Sequence, residues 1–392
     1  MEIKPAQRIA QVKPYFFADL DKTIASLKKS GMDVIRLDIG SPDLPPADFI
    51  ITALNEAAKL PDMHGYGQSG GSASLRKAFS LYYKNRFNLD LDPDKEILGL
   101  IGSKEGLFNL SQVLLDPGDL ALIPDPYYPV YDVGARIAMG ETYPMPLLAE
   151  NGFLPDFEKI PEEIADRAKL MWLNYPNNPT GAIAPYSFFE EVVDFAHEHN
   201  IVIAHDAPYV DVCFDNYNPP SFLEVPGAIE VGVEFNSLSK TYNMAGWRVG
   251  VAAGNPEIIR LLRTYKSQLD SSHFKPIMVA AEAALLGDQS WLRERNLVYQ
   301  HRRDIIVETL LKLGFHLEIP KASIYVWAHI PEKWQDSIEF CRLLLDEAGV
   351  SITPGVVYGN SGEGFIRISL VTPEERLSEA MVRLDNWMKE KV

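Results

Sequence analysis

Short apolar runs alternate with longer segments of helical period along most of the chain. Six runs have the length of buried strands: Ile97–Ile101, Leu120–Ile123, Leu170–Leu173, Ile201–Ala204, Val231–Asn236 and Arg248–Ala253. Between them, apolar spacing predicts helices over Lys104–Leu115, Pro185–His199 and Pro256–Gln268, and a further helix over Ser72–Phe87. Strand–helix–strand alternation with continuously apolar strands specifies an α/β domain around a mostly parallel, buried sheet. Ligands of such sheets bind beyond the carboxyl ends of the strands. Several polar residues of this chain follow directly after these runs.

The C-terminal part reads differently. Ser290–Leu313 predicts one long helix carrying the charge-rich clusters RERN and HRRD. A strand-like IYVWAHI, a helix near Ser337–Ala348, a strand-like GFIRISL and a final helix from Pro373 follow. This mixture predicts a second, smaller α+β domain, with the boundary near Lys275–Ala284.

Composition narrows the function. With 392 residues, 46% of them hydrophobic, the chain can build two or three domains with cores that need no disulfide or metal staple. Lys plus Arg number 37 against 54 Asp plus Glu, a net charge of −17. That balance excludes the broad basic face of a general nucleic-acid binder. The two cysteines, Cys213 and Cys341, form no CxxC and point to a reducing compartment. The first residues lack a signal-peptide core, and no run approaches ~18 apolar residues. The expectation is a cytoplasmic protein with no membrane partner.

Two patterns have plainer explanations than the sites they imitate. Gly65-x-Gly67-x-x-Gly70 has dinucleotide-fingerprint spacing, but it follows LPDMH rather than a strand and reads as a turn before a helix. His197 and His199 stand near His205 and Asp206, but i, i+2 positions face apart on a helix. No metal site is expected.

Four segments carry candidate chemistry: Asn174–Gly181 (NYPNNPTG), His205–Tyr209 (HDAPY), Asn236–Gly250 (NSLSKTYNMAGWRVG) and Gly364–Leu370 (GFIRISL). Taken singly they read as a turn, a strand end with a solvated acid, a polar loop and an ion-paired arginine. In this order, with Arg248 eight residues after Lys240, the chain resembles the class I aminotransferases, fold-type I enzymes that use pyridoxal 5'-phosphate. The resemblance runs from Gly40 in DIGSPD to Arg367. It implies a large domain with a mostly parallel, seven-stranded type of sheet over residues 45–280. Residues 1–44 and 281–392 would form the smaller α+β domain with the N-terminal segment.

The resemblance also assigns roles. Lys240 would hold the cofactor as a Schiff base and carry the substrate Cα proton, with its pKa lowered by burial and nearby positive charge. Asp206 would keep the pyridine nitrogen protonated, so that the ring acts as an electron sink. Asn178 and Tyr209 would donate to the phenolic oxygen. Ser103, Lys104, Ser237, Ser239 and Arg248 would hold the phosphate, aided by the helix start at Gly102–Gly106. Tyr66 would reach the phosphate of a neighbouring subunit, which implies a homodimer with sites at the interface. Tyr128 would stack on the ring, with Tyr127 as its one-residue rival. Arg367 would clamp the substrate α-carboxylate beside the Gly40 backbone.

Within the family, GSKEG, DIGSPDLPP and the N-terminal PYFFADLDK, which includes Tyr15 as a substrate contact, are similar to LL-diaminopimelate aminotransferases. That implies amino transfer between LL-diaminopimelate and 2-oxoglutarate, a step of lysine biosynthesis. Some members place a glutamate shortly after the tyrosine equivalent to Tyr66; here the stretch is Gly67-Gln68-Ser69-Gly70. No separate arginine stands out as a reader of a side-chain carboxylate. Alanine, aspartate, aromatic and branched-chain amino acids remain alternative substrates. A carbon–sulfur lyase or a non-catalytic binding protein on the same fold remains an alternative class.

Overall fold

The computed structural model describes residues 1, 3–10, 12 and 16–391. Twelve strands are present among them. They are β1 (Ile35–Arg36), β2 (Ile97–Leu100), β3 (Leu120–Asp125), β4 (Glu141–Pro146), β5 (Ala168–Asn174) and β6 (Val202–Asp206), then β7 (Gly232–Ser237), β8 (Gly250–Gly254), β9 (Tyr325–His329), β10 (Val350–Ser351), β11 (Thr353–Pro354) and β12 (Phe365–Ser369).

Seven of these form one sheet in the order β2-β8-β7-β6-β5-β3-β4. The four pairs from β7 to β4 are parallel, and β8 runs antiparallel to both of its neighbours. All six predicted strands are present, with ends shifted by a few residues. The seventh, β4, has the sequence ETYPMP and an edge position. Its two prolines and exposed residues conceal it in the sequence, and an edge strand tolerates prolines that cannot donate to a ladder.

Each face of this sheet is covered by helices. The helix Ala73–Phe87 packs Leu75, Phe79 and Tyr83 into one core with Phe188, Phe189 and Val192 of Tyr186–His199. Met278, Ala280 and Ala281 of the helix Lys275–Leu286 join the same core. On the other face, Leu107 and Leu110 of Ser103–Leu114 meet Trp172, Phe235 and Ile259. Alternation along β7 explains the split: Val233 and Phe235 belong to the second core, and Glu234 turns towards Tyr83 on the first side. Side-chain caps mark several helix starts. Ser72 accepts from the Leu75 N–H, and Asn255 from the N–H groups of Glu257 and Ile258.

The smaller part has an antiparallel sheet, β11-β12-β9, and a parallel pair, β1 with β10. It encloses its own core of Ile35, Leu37, Tyr299, Ile306, Val326, Phe340, Ile366 and Trp387. The predicted helices of this region occur as Ser290–Lys312, Ser337–Ala348 and Glu374–Glu390. Arg302 of the long helix is buried and grips Asp43 through both Nη atoms, at 2.8 and 3.0 Å. No helix among the described residues is long and apolar enough to cross a membrane.

One close approach ties the sheet to the loop that opens Ser103–Leu114. A Cβ on Gly250 would lie 2.5 Å from the Ser103 backbone nitrogen and 2.9 Å from the Gly102 carbonyl carbon. Backbone cannot swing aside as a side chain can. Gly250→Ala should therefore destabilise the protein by about 1–3 kcal/mol in equilibrium urea unfolding. An unchanged midpoint and slope would show that β8 and this loop are not in contact.

Candidate active site

The carboxyl edge of the large sheet opens into a cavity of about 540 Å³. Asn174 ends β5, and Asn178 follows in the next turn. Asp206 ends β6, and Tyr209 follows. Ser237 ends β7, and the short helix Leu238–Thr241 then presents Ser239 and Lys240. Ser103 and Lys104 come after β2, and Tyr128 after β3. Because β8 is reversed, Arg248 reaches the same edge just before that strand begins. The opposite wall comes from the smaller part: Asp38, Gly40, Tyr325, Tyr358 and Arg367.

Twelve predicted residues thus line one cavity: Gly40, Ser103, Lys104, Tyr128, Asn178, Asp206, Tyr209, Ser237, Ser239, Lys240, Arg248 and Arg367. Tyr66 does not. It is 91% exposed and borders a separate groove with Gln68, Lys275 and Met278. Tyr15 lies outside the described residues. Of the tyrosine rivals, Tyr128 lines the cavity, and Tyr127 donates its backbone N–H to the Tyr358 carbonyl at 2.8 Å.

One end of the cavity is built for an anion. The helix Ser103–Leu114 begins at Gly102, with φ 75° and no side-chain cap, so its first N–H groups face the cavity edge uncovered by a cap. The Lys104 ammonium lies 5.5 Å from the Tyr128 ring centre. Burial, then Arg248, pushes the Lys104 pKa down. Arg248 has φ 60°, donates through Nη1 to the Ala245 carbonyl at 2.8 Å, and is fixed through its own carbonyl by His273 Nε2 at 2.8 Å. A side chain at Gly102 would collide with its guanidinium. Ser237 and Ser239 complete this end with hydroxyl groups.

The other end presents a buried guanidinium. Arg367 is buried, donating to Asn178 Oδ1 at 3.0 Å and to the Asp38 carbonyl at 2.8 Å. Its Cζ lies 4.1 Å from the Tyr325 ring centre and 4.9 Å from that of Tyr358. Its Nε is buried without a hydrogen-bond partner. Gly40 is obligatory here, because a Cβ would collide with the Tyr325 hydroxyl. A second guanidinium, that of Arg36, also lines the cavity. It grips the buried Asp38 carboxylate through Nε at 3.1 Å and Nη2 at 2.5 Å, and reaches Asp21 with Nη1 at 2.5 Å.

Between the two ends lie the ionisable groups. The Lys240 amine donates to the Gly40 carbonyl. Burial lowers its pKa; Arg367 and Arg248 add to the fall, and Tyr325 and Asp206 oppose it. Asp206 is pushed up to about 7 by burial, against the Tyr131 hydrogen bond, His205 and Lys240. Its Oδ2 accepts from the Tyr131 hydroxyl at 2.7 Å, and its Oδ1 is buried without a partner. The Tyr209 hydroxyl lies 3.3 Å from that of Tyr325. Burial raises Tyr209 well above the usual range. Burial would raise Tyr325 as well, but Arg367, Lys240 and the Tyr209 hydroxyl outweigh it and bring it down.

Sequence reasoning missed Tyr131, Tyr325, Asp38 and Arg36. Tyr131 had a signal, standing three residues after Tyr128 at the start of the helix Val130–Ile137. Tyr325 had none, because IYVWAHI reads only as a strand. Among the described residues no group of three or more His, Cys, Asp or Glu side chains could hold a metal ion. His199 instead pairs with Asp166 at 2.8 Å.

The sequence profile described as "Aminotransferase class I and II" matches residues 32–384, nine-tenths of the chain. The chain belongs to the class I and II aminotransferase family. This aminotransferase is 50% identical over 382 residues to the LL-diaminopimelate aminotransferase of Moorella thermoacetica, covering 97% of this chain and 98% of that one. It is also 50% identical to the protein of the same name from Desulforudis audaxviator, covering 98% of both chains. Among solved structures, substrate-bound BacF from Bacillus subtilis superposes with a TM-score of 0.95 at 40% identity, over 99% of this chain and 98% of that one. The aminotransferase is thus a transferase acting on amino acids and 2-oxo acids.

Asp206 gives the aminotransferase a distinctive pH dependence. Its pKa in the fold, about 7, is above the ordinary carboxylate value of 3.8. Between these values the folded protein holds a proton that the unfolded chain releases. The stability tied to that proton is present below about pH 4 and is lost as pH rises through about 7. Asp206→Asn should match the wild type in thermal or urea unfolding at pH 4 and exceed it at pH 8. A constant difference across that range would contradict the buried, protonated Asp206.

Proposed function

We propose that this aminotransferase uses pyridoxal 5'-phosphate to exchange an amino group between LL-diaminopimelate and 2-oxoglutarate. Near-full-length identity of about 50% to proteins of that name carries the choice of substrate. The cavity suits the cofactor on its own terms. A buried Asp206 Oδ1 awaits a donor, a lysine amine lies inside, and an anion cradle lies at one end. Bound there, the cofactor supplies an electron sink for the electron pair left when the substrate Cα–H bond breaks.

The residues then divide the work. Lys240, its pKa lowered by burial, would hold the cofactor and carry the substrate Cα proton. Asp206, as a carboxylate, would hold the proton of the cofactor's ring nitrogen in place. Tyr209 keeps its hydroxyl proton and donates to the phenolic oxygen. Asn178 gives its Oδ1 to Arg367, which leaves Nδ2 as its donor to the same oxygen. Ser103, Lys104, Ser237, Ser239 and Arg248 would hold the phosphate, and Tyr128 would pack against the ring. Arg367 clamps the α-carboxylate with its paired N–H groups beside the Gly40 backbone, which orients the Cα–H bond.

We further propose a cytoplasmic homodimer. The exposed Tyr66 supports it, as a residue suited to complete the anion site of a second copy. The free cysteines suit a reducing compartment. The division into residues 45–280 and 1–44 with 281–392 remains the proposed domain organisation; the smaller part's own core supports it, while the cut at 280 falls inside the helix Lys275–Leu286, whose Ala281, Ala284 and Leu285 pack with the large core.

Initial rates with LL-diaminopimelate, glutamate, alanine, aspartate and phenylalanine as donors test the substrate. LL-diaminopimelate should give the highest kcat/KM with 2-oxoglutarate. A faster alternative donor would overturn the substrate, and pyruvate and ammonia released without a 2-oxo acid would replace the transferase reading by a lyase. Lys240→Ala should abolish transfer and leave no covalent cofactor after borohydride reduction. Arg367→Lys should raise KM at least tenfold, because a lysine cannot make the forked contact. An unchanged KM would remove Arg367 from the carboxylate site.

A further inference from the structure

A second buried pair of ionisable groups lies directly behind Asp206. His205 and Glu234 are register partners on the adjacent parallel strands β6 and β7, so they share one face of the sheet. Both are fully buried. Asp206, the next residue, turns to the other face and lines the cavity.

The hydrogen bonds around His205 fix how many protons the pair holds. Nε2 lies 3.0 Å from the Tyr175 carbonyl oxygen, which can only accept, so Nε2 carries a hydrogen. Nδ1 lies 3.0 Å from Glu234 Oε2. An imidazole with its single hydrogen on Nε2 would turn a lone pair towards a carboxylate oxygen. The contact therefore needs one more proton, on Nδ1 or on Glu234. Glu234 already accepts from the Tyr83 hydroxyl at Oε1, at 3.0 Å. At Oε2 it accepts from the Ser221 hydroxyl at 2.8 Å and the Phe222 N–H at 3.2 Å. Three donors converging on one carboxyl group favour its anion. The extra proton belongs on His205.

We propose that His205 is an imidazolium paired with the Glu234 carboxylate, and that the pair is a positioning element keeping Asp206 anionic for the cofactor ring nitrogen. This rests on the cofactor reading given above. The pair as a whole is neutral, but its positive member sits on the strand that carries Asp206. Burial drives the Asp206 carboxyl towards its neutral form, and His205 pulls the other way. The remaining groups facing Asp206 are the Tyr131 hydroxyl, the Lys240 amine and the Tyr209 hydroxyl. Glu234 is faced by Tyr83 and Ser221, with Glu224 and Asp211 beyond them. The Phe189 and Phe222 rings, at 5.0 and 6.2 Å, close the apolar side of His205 and exclude water.

The test uses full-length protein with ¹⁵N-labelled histidine, cofactor-free and cofactor-loaded, with His205 assigned by its loss in His205→Gln. Both ring nitrogens of His205 should show attached hydrogens at pH 7.5. A lone pair on either nitrogen at pH 7.5 would overturn the imidazolium, whatever the reaction proves to be. Glu234→Gln removes the countercharge, keeps an acceptor for Tyr83 and offers His205 Nδ1 a donor, so His205 should fall to its neutral form and Asp206 lose its positive neighbour. Its kcat/KM profile should move its acid limb up by about one pH unit, an approximately tenfold loss at the acid end that recovers at high pH. Should that variant fail to fold, Tyr83→Phe removes one donor to Glu234 and should move the limb in the same direction by less. An imidazolium with an unmoved limb would leave the pair purely structural and refute the positioning role. Absence of amino transfer in the wild type would instead overturn the functional reading, with the NMR result intact.

Discussion

Desolvation governs this cavity. Lys240, Asp206 and Arg367 are withdrawn from water around a space of about 540 Å³, and no full set of ion pairs compensates them. Burial pushes Lys240 and Asp206 towards their neutral forms, and neighbouring charges decide how far each goes. Arg367 cannot neutralise, so it is held by the Asp38 carbonyl, Asn178 and two tyrosine rings. Its Nε and the Asp206 Oδ1 are left with unused hydrogen-bonding capacity. A polar site that a well-packed core would avoid is maintained, which is the signature of function rather than stability.

The fold supplies the convergence that this requires. Parallel strands bring the residues after β5, β6 and β7 to one edge, and the reversed β8 returns Arg248 to it. The smaller sheet contributes from the far side, with Tyr325 and Arg367 on adjacent antiparallel strands. Glycines at the contacts allow backbones to approach. Gly250 lies against the loop before Ser103, Gly102 lies under Arg248, and Gly40 lies under Tyr325. Each position would reject a methyl group. The geometry of the cavity is thus written into small residues as much as into charged ones.

Much of this was legible in the chain because it depends on local patterns. Continuous apolar runs announced six of the seven strands of the large sheet, and polar residues placed just after them announced the cavity. The edge strand β4 was hidden by its prolines and exposed positions. Tyr325 was hidden because an inward tyrosine in an apolar strand looks like core. Arg36 and Asp38 were hidden because their pairing depends on how the chain bends after β1. The His205–Glu234 pair required the register of two strands that lie far apart in sequence. Pairs across elements are fixed by packing, and a linear pattern cannot display them.

The central claim is that burial lowers the Lys240 pKa and so makes its amine more available as a nucleophile. The most direct measurement is the rate at which cofactor-free protein captures pyridoxal 5'-phosphate covalently at Lys240, trapped with borohydride and followed by peptide mass against pH. The account predicts a midpoint well below the ordinary lysine value of about 10.4. A midpoint at that ordinary value would mean that the amine is solvated and charged, and the account of the cavity would fail.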